Sequence, residues 1–62
     1  MVINTDNDEV EVYHDAQGTH RWRRVDTQNG KIVASSGEGY VNADYAEVAA
    51  ETYNPGIPVV HV

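Results

Sequence analysis

The sequence predicts a small α+β domain of order β-β-β-α-β, an antiparallel sheet with one helix packed on a face. Three observations predict it. Residues 9–14 (EVEVYH) alternate strictly between apolar and polar side chains, the period of a half-buried strand. Asn29-Gly30 sits between two further β-prone runs, a strong hairpin signal. After Asn42, a good helix N-cap, alanines recur at helical spacing.

The first strand places Val10 and Val12 on one face and Glu9, Glu11 and Tyr13 on the other. Asp15-Ala16-Gln17-Gly18 supplies turn chemistry before a second strand at residues 19–27. A three-residue loop, Ala16-Gln17-Gly18, with Gly18 in the left-handed region, pairs Val12 with Trp22, Glu11 with Arg23 and Tyr13 with Arg21. Apolar residues then meet on one face and opposite charges on the other. A shift of one residue would set Glu11 against Trp22, so the three-residue loop is favoured.

Trp22 and Val25 stand three apart and would face opposite sides of an unbroken strand. One extra residue near Arg23 and Arg24 would bring them together through a bulge in the second strand. A two-residue Asn29-Gly30 turn then sets Val25 against Ala34 and Thr27 against Ile32 in a third strand at residues 31–36. The helix is expected over residues 43–53, with Ala46, Ala49, Ala50 and Tyr53 forming a narrow stripe of mostly small side chains. Asp44 and Glu47 suit the positive end of its dipole. Asn54-Pro55-Gly56 ends it, and residues 57–62 (IPVVHV) form a short fourth strand that Pro58 confines to an edge or a strand start. Residues 1–8 read as a flexible, polar N-terminal arm and residues 9–62 as a single domain.

With 62 residues and no cysteine, the chain is near the lower size limit for independent stability and has no disulfide to supplement its core. Self-association is the expected supplement. No apolar run approaches a membrane span and residues 1–10 carry no export signal, so a cytoplasmic protein without membrane contact is expected. Ten acids against four bases give a net charge of −6. All four bases (Arg21, Arg23, Arg24, Lys31) lie between an acidic first third and an acidic second half. So acidic and lysine-poor a surface suits a high-salt cytosol, where self-repulsion is screened, and points to a halophilic source.

The runs EVYHDAQG, RWR and NGKIVASSGEGY, followed by the alanine-rich helix, together resemble the YegP-like family of small uncharacterised proteins over residues 9–53. The resemblance implies a β3-α-β unit occurring as a tandem repeat or as a single-copy homodimer. It implies one continuous sheet with exchanged C-terminal strands, here Ile57, Val59, Val60 and Val62. Two places depart from the family pattern. Arg24 stands where an aliphatic residue is usual, and Val48 and Ala49 stand where polar or glycine-like residues are common. The resemblance implies a fold and a self-pairing, and no activity.

Several groups are candidate sites. The basic, aromatic run at residues 21–24 resembles a single-strand nucleic-acid platform, with Arg21 and Arg23 neutralising phosphate. The plainer reading buries Trp22 and pairs the arginines with acids across the hairpin, so nucleic acid is not an expected partner. Gly37, Glu38, Gly39 and Tyr40 form a loop before a helix that would present backbone N–H groups to a small ligand or anion, though it lacks the phosphate-loop lysine. The plainer reading gives the glycines to turns and Tyr40 to packing. His14 and His20 would be cross-strand neighbours, and His61 could join them only by strand exchange, so no metal site is expected. Asp6-Asn7-Asp8 resembles the start of a calcium loop without its glycine or closing glutamate. No catalytic constellation or cofactor motif is visible, and a core this thin leaves little room for an enclosed pocket. The expected function is therefore a non-catalytic, homodimeric protein-interaction module. The alternatives are a small-ligand or anion-binding protein acting through residues 37–40 and, third, nucleic-acid binding through residues 21–24.

Overall fold

The computed structural model describes residues 7–62. Strands β1 (Asp8–His14), β2 (His20–Asp26) and β3 (Lys31–Ser35), helix α1 (Ala43–Tyr53) and strand β4 (Val59–His61) follow in the expected order. They form one sheet, ordered β3-β2-β1-β4, with the helix packed on one face. The residues expected to form the arm lie outside the described part as far as Asp6. Asn7 and Asp8 are part of the sheet instead: Thr27 N–H donates to the Asn7 carbonyl (2.7 Å), and Asp8 begins β1.

The sheet is mixed, and the antiparallel expectation is corrected at β4, which runs parallel to β1 with Val10 beside Val59 and Val12 beside His61. Connectivity requires this direction. Both β1 and β3 oppose β2, and a single helical traverse between β3 and β4 returns the chain to travel as β3 does. Pro58 precedes β4 directly, and its carbonyl accepts from Val10 N–H (2.8 Å), so the residue that lacks a donor still serves the ladder. The strand is shorter than residues 57–62, since Ile57 packs on the core and Val62 makes only a terminal bond to the Val12 carbonyl.

The first hairpin has the register argued from pattern: Val12 opposite Trp22, Glu11 opposite Arg23 and Tyr13 opposite Arg21. Gly18 takes φ +86° at the end of the three-residue loop. The Asp15 carboxylate organises that loop. It accepts from the backbone N–H groups of Gln17 (2.9 Å) and Thr19 (3.0 Å), from the Thr19 hydroxyl (2.6 Å) and from Arg21 Nε (2.7 Å).

The second hairpin corrects two expectations. The β1–β2 ladder is unbroken, and the irregularity lies in β3: Arg24 pairs with Ala34 and Val25 with Ile32, so Val33 is the extra residue. The connecting turn has four residues, 27–30. Asp26 caps it by accepting from Gln28 N–H (2.9 Å), and Gly30 takes φ +74° while donating to the Asp26 carbonyl (2.7 Å). Trp22 and Val25 therefore face opposite sides, and Ile32 goes with Val25 to the outer face. No bulge is needed to withdraw Arg24 from the helix-side face, because Asp8 meets its Nε at 2.7 Å on that same face.

The core consists of Val10, Val12 and Trp22 from the sheet and Ala46 and Ala50 from the helix. Ala49, Ile57, Val59 and Tyr40 pack around it. Alanines at the contact let the helix axis approach the sheet closely, which is what closes so small a core. Each buried valine contributes about 1.5–3 kcal/mol. Asn42 caps the helix as expected, its side-chain oxygen accepting from Tyr45 N–H at 2.9 Å. At the other end Asn54, buried at 3% exposure, donates both its backbone N–H (3.0 Å) and its side-chain amide (2.9 Å) to the Ala50 carbonyl. Val48, in the middle of the helix, points to solvent.

Replacing Asn42 by alanine should lower the unfolding free energy by about 1 kcal/mol, read by thermal or urea denaturation, because one helix-end donor loses its acceptor.

Candidate functional site

The chain between β3 and α1 leaves the sheet and returns to it. Ser36 N–H donates to the Trp22 carbonyl (2.9 Å), and Trp22 N–H donates to the Ser36 hydroxyl (3.2 Å). Residues 37–39 swing out. Tyr40 then rejoins β2, exchanging backbone bonds with His20 at 2.7 and 2.8 Å. The loop is thus pinned at both ends to one strand.

Gly39 is required at this return. A Cβ there would lie 2.2 Å from Thr19 Oγ1 and 2.7 Å from Thr19 Cβ, inside any real contact. Thr19 cannot easily give way, since its hydroxyl and backbone N–H are both held by Asp15. Gly37 meets nothing within 4 Å and has no such constraint.

The helix covers β1, β2 and β4 but not β3, so a gap remains above β3. Trp22, Tyr40 and Tyr53 form the aromatic part of its wall, with Ser35, Ser36 and Glu38 as the polar part, around a cleft of about 530 Å³. On the helix side, Glu38, Tyr40 and Tyr53 border a second hollow with Tyr45 and Val48. The space is an open cleft walled by surface residues and the edge of the core at Trp22. Trp22 and Tyr53 stack with ring centroids 6.1 Å apart. Trp22 is 6% exposed and Tyr53 69%, so one ring is fixed and the other stands at the surface. The Trp22 indole N–H is buried and meets no acceptor among the described residues. Glu38 takes part in no ion pair among the described residues.

Gly37, Glu38, Gly39 and Tyr40 therefore lie together beside a cleft. Trp22, Ser35, Ser36 and Tyr53 belong to it as well, and the pattern had not assigned them there. The signal for Tyr53 was its place at the far end of the alanine stripe, a large ring beyond three small side chains.

The arginines lie elsewhere. Arg21 and Arg23 share the outer face, opposite to Trp22, where Asp15 and Glu11 each hold a guanidinium Nε at 2.7 Å. The Arg23 guanidinium also sits 4.5 Å over the Tyr13 ring. With Arg24 on Asp8, every arginine has a carboxylate partner. Among the described residues the cleft wall contains no cation.

His14 and His20 stack as cross-strand neighbours with centroids 4.6 Å apart. His61 instead meets Glu47 at 2.8 Å. Among the described residues no three His, Asp or Glu side chains gather as a metal site would require. Among the described residues no helix is long and apolar enough to cross a membrane. Comparison with protein-family models, curated proteins and solved structures returns no match.

The donors around Asp15, the Thr19 hydroxyl first and then Arg21, hold its carboxyl well below the usual carboxylate range. A group depressed in the folded state stabilises it above the unfolded-state pKa, and that stabilisation is lost as pH falls below about 4. In acid denaturation, Asp15→Asn should be less stable than the parent at neutral pH and should show a shallower loss below about pH 4. Gly39→Ala should cost about 1–3 kcal/mol through overpacking against Thr19, measured by urea unfolding, with amide shifts centred on Tyr40 and His20.

Proposed function

We propose that the chain is a non-catalytic, homodimeric interaction module of the YegP-like type, acting through protein–protein contact. The observation that supports this most is the thinness of the core: among the described residues, three sheet side chains and two alanines are all the buried hydrophobic residues. A domain this small buries a low fraction of its surface and gains from a partner copy.

The β4 edge is the place for that copy. It is three residues long, with Val60 half-buried and Val62 66% exposed beyond it. Pairing there would extend the sheet through two subunits without disturbing the helix. In the exchanged form, Ile57, Val59, Val60 and Val62 would make the same contacts on the partner's β1 that they make on their own, so exchange costs little in contacts. The connection from α1 to β4 is short and carries Pro55 and Gly56, the latter at φ +80°, which gives it the character of a hinge.

Light scattering in concentrated KCl at micromolar protein should give twice the 6.9 kDa chain mass, and a monomer would overturn the dimer. Lengthening the Pro55-Gly56 connection with a flexible Gly/Ser insertion should convert an exchanged dimer to monomer. An inserted chain that dimerises as tightly as the parent would retain the dimer and remove the exchange.

A further inference from the structure

We propose that the cleft above β3 binds a small organic cation, an alkylammonium being the simplest case. Two independent features converge on that chemistry. The wall is aromatic, and the faces of tryptophan and tyrosine attract ammonium groups through their quadrupoles. Tyr53, 69% exposed, and Tyr40 supply the accessible rings, while Trp22 stacks against Tyr53 at an inclination of 23°.

Charge selects the sign. Among the described residues, Glu38 is the only formally charged one lining the cleft, and it takes part in no ion pair there. An anion would find no cation there, since Arg21 and Arg23 are on the other face of the sheet and already engaged.

At about 530 Å³ the space is of small-molecule size. It lies at the β3 side of the sheet, and β4 is the opposite edge, so it stays open whether or not the chain dimerises as proposed above.

Trp22 is the only tryptophan, so its fluorescence reports the cleft directly. The full chain would be titrated with choline, with its uncharged isostere 3,3-dimethylbutanol, and with inorganic phosphate at constant KCl. Choline should give a saturable change, and the alcohol and phosphate none over the same range. Glu38→Gln should weaken choline about fivefold, and Tyr53→Leu about tenfold. Both side chains are exposed, so circular dichroism should confirm an unchanged fold. A response to the neutral alcohol equal to that for choline, a saturable response to phosphate, purely linear quenching by choline, or undiminished affinity in Glu38→Gln would each overturn the assignment.

Discussion

The closeness of the helix to the sheet governs the rest of this structure. Ala46 and Ala50 sit directly on Val10, Val12 and Trp22. Because the helix side of the contact is two methyl groups, the core can close with few large side chains. The same closeness has a cost in coverage. A single narrow helix lies over β1, β2 and β4 and leaves β3 bare, and every residue of β3 is exposed. The bulge at Val33 fits that position, since it twists an unprotected edge away from regular pairing, and Lys31 adds a charge at its start. The cleft follows from the same arrangement, as the volume between the edge of the helix and the uncovered strand.

A second constraint starts at Asp15 and reaches the far side of the hairpin. Its carboxylate gathers four donors from a five-residue stretch, which fixes the turn and also the Thr19 side chain. Thr19 then permits only glycine at position 39, and that glycine lets Tyr40 bond back to His20. A turn-forming aspartate thus sets the mouth of a cleft more than 20 residues along the chain. The plainer reading of Gly39, as a turn residue, is right in kind but understates it. The position requires a close approach of two segments, which local sequence does not display.

What was legible in the sequence was whatever depended on period and local chemistry. The alternation in residues 9–14 with the charge pairing across the turn fixed the first hairpin's register, and Asn42 with the alanine stripe fixed the helix. What was not legible depended on partners distant in the chain. A bulge in β2 is expected on the premise that Val25 shares the helix-side face with Trp22. Asp8, sixteen residues earlier, makes Arg24 acceptable there, and the irregularity moves to β3. The two-residue Asn29-Gly30 turn failed for a related reason: Asp26 offers its carboxylate to the Gln28 amide and captures a longer turn. In the cleft, residues 37–40 were visible as a glycine-bearing loop. Tyr53 and Trp22 join them only through tertiary packing.

The distribution of charge carries the argument further than the net value does. With ten acids and four bases, an acidic protein could still offer a basic patch, and the run at residues 21–24 has the composition for one. Strand alternation divides it. Arg21 and Arg23 go to the outer face and Arg24 to the helix side, and each is held by a carboxylate at 2.7 Å. A nucleic-acid backbone would have to displace those carboxylates from partly buried pairs before gaining any phosphate contact, against a surface of the same sign as its own. Pairing Asp8, Glu11 and Asp15 with arginines also leaves the other described acids without guanidinium partners, Glu38 among them. The residual negative charge of the chain is thereby expressed at its loop and helix surfaces and at the cleft. Any ligand or partner that approaches by electrostatics meets carboxylates first, which favours cationic occupants throughout.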